Sequence, residues 1–164
     1  MRRTQGANTD SLARAVFALL VLACFVAFFL TQRLKHTPTA VQRFELTPFF
    51  SPTPAGHIKQ ERISFRIARS DEVTVTVIDS GGTDVAELLR DHFVTRYKQL
   101  SLRWNGRRGS AHGYIVIRAH SPHPVLVANN RGPLARPGEY RIRVSLRQQR
   151  RSLFSPRTFK LVRR

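Results

Sequence analysis

Residues 63–79 read ISFRIARSDEVTVTVID. Ile63, Phe65 and Ile67 alternate with Ser64, Arg66 and Ala68, and Val73, Val75 and Val77 alternate with Thr74, Thr76 and Ile78. A period of two sends successive side chains to opposite faces of a strand, so each half reads as a strand with one buried face. The β-branched residues of the second half suit a pleated, packed surface. Asp79, Ser80, Gly81 and Gly82 follow with turn chemistry, the glycines permitting positive φ. Val85–Leu89 then reads as the return strand of a hairpin, and Ala86–Phe93 also reads as a short helix.

The same alternation continues downstream. Leu100, Leu102 and Trp104 share one face and run into Asn105 and Gly106, a strand and a tight turn. Tyr114–Arg118 and Val125–Val127 are further strand candidates, separated by the proline-broken segment His120–Pro124. After a second break at Arg131–Gly138, Tyr140, Ile142, Val144 and Leu146 face one way, and Arg141, Arg143, Ser145 and Arg147 the other. Ser152–Val162 supplies a last strand. Seven or eight short strands over about 105 residues, separated by turn signals, imply an all-β antiparallel sandwich with a sizeable core.

Upstream the pattern is different. Ala15–Leu30 is apolar at every position, and starting at Leu12 brings the run close to the length needed to cross a bilayer, with Arg14 snorkelling to the headgroups. The expected organisation is a short cytoplasmic tail at 1–11, a transmembrane signal anchor at 12–30, a proline-containing linker at 31–57 and the β-domain at 58–164. A cleaved signal is the main competitor, but Phe25, Phe28, Phe29 and Leu30 stand where small residues belong, and Thr37–Ala40 is a poor, late site. VLAC at Cys24 partly resembles a lipobox, with a large Leu22 and an apolar sequel against it. A helix apolar on all sides fits the core of a small domain poorly. Arg2, Arg3 and Arg14 before the span are matched by Arg33, Lys35 and Arg43 after it, so basic flanks do not set the orientation. In the linker, Pro38, Pro48, Pro52 and Pro54 favour extended chain. Phe44, Leu46, Phe49 and Phe50 interrupt it, and Arg43–Phe50 is expected to pack as a first edge strand or against the end of the anchor.

The chain of 164 residues carries 28 Lys plus Arg against 10 Asp plus Glu, a net charge of +18. Beyond residue 30, 25 basic residues remain against 9 acidic ones, spread along strand faces and short clusters. Such an excess reads either as a solvated sheet face or as the mark of an anionic partner or surface. The single cysteine, Cys24, rules out an internal disulfide or a multi-cysteine metal site.

Taken together, the segments ISFRIARSDEVTVTVIDSGGTDVAELL, LSLRWNGRRG and RPGEYRIRVSL resemble the Ig-like repeat in the C-terminal region of the flagellar hook-capping protein family and in other bacterial exported proteins. The matching positions are Ile63–Phe65, Val73–Asp79, Gly81, Gly82, Trp104–Gly106 and Pro137–Val144, and the likeness runs from about Phe50 to the C-terminus. It implies an Ig-like fold exported from the cytoplasm, with Trp104, Asn105, Gly106, Pro137, Gly138 and Tyr140 as scaffold. Trp104 and Tyr140 are expected in the core, each with a polar tip needing a partner. Two departures stand out. The family's acidic loop corresponds to Ser51–Glu61, SPTPAGHIKQE, which lacks the clustered carboxylates a hard cation needs. The stretch 107–136 is longer than the usual connection and reads as an inserted hairpin, a place to look for a function particular to this chain.

No nucleophile elbow, phosphate loop, dinucleotide fingerprint or zinc-protease helix is present, so no catalytic residue, cofactor or metal is expected. His112, His120 and His123 have a spacing that would need a third ligand from elsewhere, and they read as surface residues. Asp71, Glu72, Asp79 and Asp84 form no visible acid–base pair. The expected function is therefore a membrane-anchored, extracytoplasmic binding or structural module without catalysis. Its partners are the lipid bilayer, anionic headgroups or a wall polymer, and a protein partner that no motif identifies. Arg141, Arg143, Arg147, Arg150 and Arg151 are the candidate contacts to an anionic surface. The alternatives are a secreted scaffold or appendage-assembly factor released by signal cleavage, and a basic nucleic-acid-binding protein, disfavoured by export.

Overall fold

The computed structural model describes residues 6–35, 39–117 and 124–163. Among these residues a helix, α1 (Gly6–Lys35), is followed by β1 (Val41–Leu46), β2 (Phe49–Phe50), β3 (Glu61–Ile67), β4 (Asp71–Asp79), β5 (Asp84–Val94) and β6 (Gln99–Trp104). The remaining strands are β7 (Gly109–Ser110), β8 (Tyr114–Ile117), β9 (Val125–Ala128), β10 (Gly138–Leu146), β11 (Arg151–Phe154) and β12 (Phe159–Leu161). The chain divides into two compact units between Pro38 and Thr39.

Within α1, Leu12–Gln32 is 21 residues long with a mean hydropathy of 2.6, and none of it is buried. It is long and apolar enough to cross a membrane. Near its end the Thr31 hydroxyl donates back to the carbonyls of Ala27 and Phe28, at 2.9 and 2.8 Å, which satisfies a polar group within the helix itself.

The second unit is built from two sheets. One runs β1-β3-β6-β9-β8, and the other β2-β12-β10-β4-β5-β7 with β11 also on β10. Inward residues of both form one core: Ile63, Phe65, Leu102 and Trp104 from the first sheet, Val73, Val75, Val77, Ile142, Val144, Phe159 and Leu161 from the second. Trp104 lies at an aromatic cluster, with the rings of Phe50, Tyr140 and Phe159 centred 5.6, 5.8 and 6.1 Å away. The period-two segments thus form strands whose apolar faces meet.

Three expectations change. The sheets are not wholly antiparallel: β2 with β12, β5 with β7 and β6 with β9 are parallel pairs. The last follows from the pairing of β8 and β9, which are antiparallel and deliver β9 alongside β6 in the same direction. The 86–93 segment is strand throughout, since β5 pairs along β4 from Asp84 to Val94. The stretch 31–57 is not a free linker. α1 extends to Lys35 and the second unit begins at Thr39, with β1 and β2 inside it. The phenylalanines explain this: Phe44 stacks on Phe65 at 5.3 Å and Phe50 is wholly buried. A bulge in β1, with Arg43 at φ 49°, inserts the extra residue between Gln42 and Glu45.

Candidate functional site

The scaffold positions have separate tasks. The Trp104 indole donates to the Arg107 carbonyl at 2.8 Å, and the Tyr140 hydroxyl donates to the Arg136 carbonyl, its ionisation pushed up chiefly by burial. Gly106 takes φ +79°, and a Cβ there would meet Pro52 Cγ at 3.1 Å. Asn105 works through its side chain instead. Its Oδ1 accepts from Arg107 N at 3.0 Å, and its Nδ2 donates to the Asn130 carbonyl at 3.0 Å. Gly138, following Pro137, opens β10. In the first turn Asp79 Oδ1 accepts from Gly81 N and Thr83 N, with Gly82 at φ +82°. Asn130 and Asp71, unremarkable in the sequence, are buried and tie backbone together.

The candidate arginines fall into two groups. Arg141, Arg143 and Arg147 follow the outer face of β10, and two of them meet carboxylates: Arg143 reaches Asp84 at 2.6 Å, and Arg147 reaches Glu72 at 2.8 Å and Asp91 at 3.9 Å. With Arg90–Glu87 and Lys160–Glu139, all these ion pairs lie on or beside the seven-stranded sheet. That face has its own counter-charges. Arg150 and Arg151 lie at the β10–β11 turn, with Arg150 at φ 48° and exposed.

That turn sits at one end of the second unit, together with the loops at 68–70 and 95–98. The register fixes this: Asp71 pairs with Val94, Leu146 with Val73, and Arg66 with Gln99. The chain enters at the same end, where Ala40 O accepts from Ala68 N at 2.9 Å. Arg69, Arg96, Lys98, Arg150 and Arg151 are exposed here, and among the described residues none has a carboxylate within 4.0 Å. Tyr97 and Phe93 add exposed rings, with the Arg96 guanidinium 4.5 Å over the Tyr97 ring.

A second basic feature lies on the outer face of the five-stranded sheet. Arg62 and Arg103 stand directly opposite each other on β3 and β6, as do Ser64 and Ser101 in the next outward pair. Two adjoining grooves of about 330 and 530 Å³ share Thr47, Arg62 and Arg103 as walls. Ser64, Gln99 and Ser101 line the first, and His57, Lys59 and Gln60 the second. Glu45 is the single carboxylate in their walls. Gln99 Nε2 donates to Ser64 Oγ at 2.6 Å, so this polar strip is ordered by its own hydrogen bonds.

His112 is exposed, while His120 and His123 lie outside the described residues. Among the described residues no group of three or more His, Cys, Asp or Glu side chains is placed to hold a metal ion. No family model matches the chain, and no curated protein or solved structure matches it.

Proposed function

We propose that the protein is a single-pass membrane protein whose Ig-like β-sandwich is held outside the cytoplasm and docks, without catalysis, on anionic lipid headgroups. The observation that carries this reading is the crowding of Arg69, Arg96, Lys98, Arg150 and Arg151 at the end where the chain enters the domain. Each basic residue close to an anionic leaflet contributes about 1 kcal/mol, and Tyr97 and Phe93 suit the headgroup layer. The apolar helix supplies the tether, which raises the local concentration of lipid at these loops. The Ig-like assignment is supported by the motif positions and by the Tyr140 hydroxyl bonded to backbone four residues upstream, as in a tyrosine corner.

Protease added to intact cells, with mass spectrometry of the membrane fraction, tests the topology. Digestion of the domain with Met1 retained is expected, and a protected domain overturns the reading. Hydrogen exchange of the full chain in nanodiscs tests the docking. Residues 68–70, 95–98 and 147–150 are expected to be slower with anionic than with neutral phospholipid, an effect lost at high salt. Equal exchange in the two lipids overturns it.

A further inference from the structure

We propose that the groove walled by Thr47, Arg62 and Arg103 binds a linear, non-nucleotide polymer whose backbone carries phosphate. This site is separate from the docking end: Arg62 lies five residues along β3 from Ile67, about 16 Å at strand spacing, toward the far end of the sheet. Cations directly opposed across two strands destabilise a sheet by their repulsion. Here Arg62 and Arg103 are so opposed, and among the described residues neither has a carboxylate within 4.0 Å. An anion between them relieves the repulsion. A guanidinium fork takes two of a carboxylate's about four acceptor sites and holds it in the plane of the fork, whereas the tetrahedrally disposed oxygens of a phosphate point out of one plane and accept from both.

Beyond the arginine pair the two grooves adjoin, one leading to Lys59 and the other to Ser64 and Ser101. A cation at one end and hydroxyls at the other match a ligand that runs on past its first phosphate. No Phe, Tyr or Trp lines either groove, so there is no platform on which nucleobases stack. The site is braced from within, because Thr47 N donates to Oε1 of the buried Glu61 at 2.8 Å, and Arg62 N donates to Thr47 Oγ1 at 3.3 Å.

The test uses the full chain in neutral detergent and end-labelled inorganic polyphosphate as the probe, with fluorescence anisotropy as the readout. Polyphosphate is expected to bind at least tenfold tighter than polyglutamate of equal charge. Arg62→Ser and Arg103→Ser are each expected to weaken it about tenfold. Arg157→Ser, which removes the same charge from the exposed β11–β12 connection of the other sheet, leaves it unchanged. Thermal melts of all three variants establish that the fold is kept. Equal loss in Arg157→Ser, equal binding of polyglutamate, or tighter binding of single-stranded DNA through the same arginines overturns the proposal. The nanodisc exchange of residues 68–70, 95–98 and 147–150 is expected to be the same in Arg62→Ser as in the parent, so failure here and failure of membrane docking are read separately.

Discussion

Glu61 and Trp104 stand opposite each other in the register of β3 and β6, and both are wholly buried. A carboxyl thus shares the core wall with the largest side chain of the protein. Glu61 Oε1 accepts from Thr47 N, while Oε2 has no partner among the described residues. Burial pushes the Glu61 pKa up to about 8 against the backbone hydrogen bond, which pulls it down.

This has a consequence for stability against pH. The unfolded carboxyl ionises near 4.5 and the folded one near about 8, so between these values the folded state holds a proton that the unfolded state has released. Stability is therefore full below about pH 4.5 and falls as pH rises toward about 8, by up to about 1.4 kcal/mol per unit. Glu61→Gln is expected to flatten this decline and to be the more stable protein at pH 8. Urea unfolding followed by fluorescence of Trp104, the only tryptophan, measures it. An unchanged slope in the variant would show that Glu61 is not the group responsible.

Tyr140→Phe removes the hydroxyl that holds the Arg136 carbonyl and leaves the ring packed against Trp104 and Phe159. Because Arg136 is exposed, its carbonyl regains water, and the expected loss is about 1 kcal/mol. Tyr140→Ala also removes the ring from the aromatic cluster and is expected to cost about 3 to 5 kcal/mol. Comparable urea midpoints for the two variants would contradict this division of labour.

The strands around residues 63–79 were legible because alternation reports directly which face is buried, and Val73, Val75 and Val77 are indeed inside. The same logic located Trp104, Tyr140 and the hairpin of β8 and β9. The phenylalanines marked Arg43–Phe50 as a packed edge segment, and β1 is the edge of its sheet; period could not divide it into β1 and β2, because the bulge at Arg43 breaks the alternation and two residues carry none. The site was harder to read. Alternation placed Arg141, Arg143 and Arg147 on one face, but the carboxylates that pair with Arg143 and Arg147 come from β4 and β5, across a register no single strand reveals. Arg62 and Arg103 are 41 positions apart and become neighbours only through β3–β6 pairing.

Asp71 ties down the turn between β10 and β11. Wholly buried, it accepts from Gln148 N at 2.8 Å through Oδ1, and from Gln149 N and Gln149 Nε2 at 3.2 and 3.1 Å through Oδ2. Asp71→Asn turns a donor group toward donors, and Asp71→Ala leaves the turn amides without an acceptor. Each is expected to cost about 3 kcal/mol and to speed amide exchange at 148 and 149. Removing the exposed ion pair by Asp84→Ala is expected to cost less than about 1 kcal/mol.

Asn130 closes the neck of the segment 107–136. Its Nδ2 donates to the carbonyls of Glu87 at 3.0 Å and Gly109 at 2.6 Å, and its own carbonyl accepts from Asn105 Nδ2. The residue is 1% exposed, so the amide joins β5, β7 and the β6 turn where water does not reach. Asn130→Ala removes both donors and is expected to cost about 2 to 3 kcal/mol. Asn130→Asp is expected to cost more, since it sets a buried charge against two carbonyl oxygens. The damage should be local. The isolated bridge between Arg107 and Leu134, with Arg108 N donating to Pro133 O, depends on this neck, while the β4–β10 ladder does not. Limited proteolysis is therefore expected to cut within 107–136 before any other part of the domain, with amides of β4 and β10 still protected. Simultaneous loss of protection in β4 and β10 would show that the segment 107–136 is part of the core's cooperative unit.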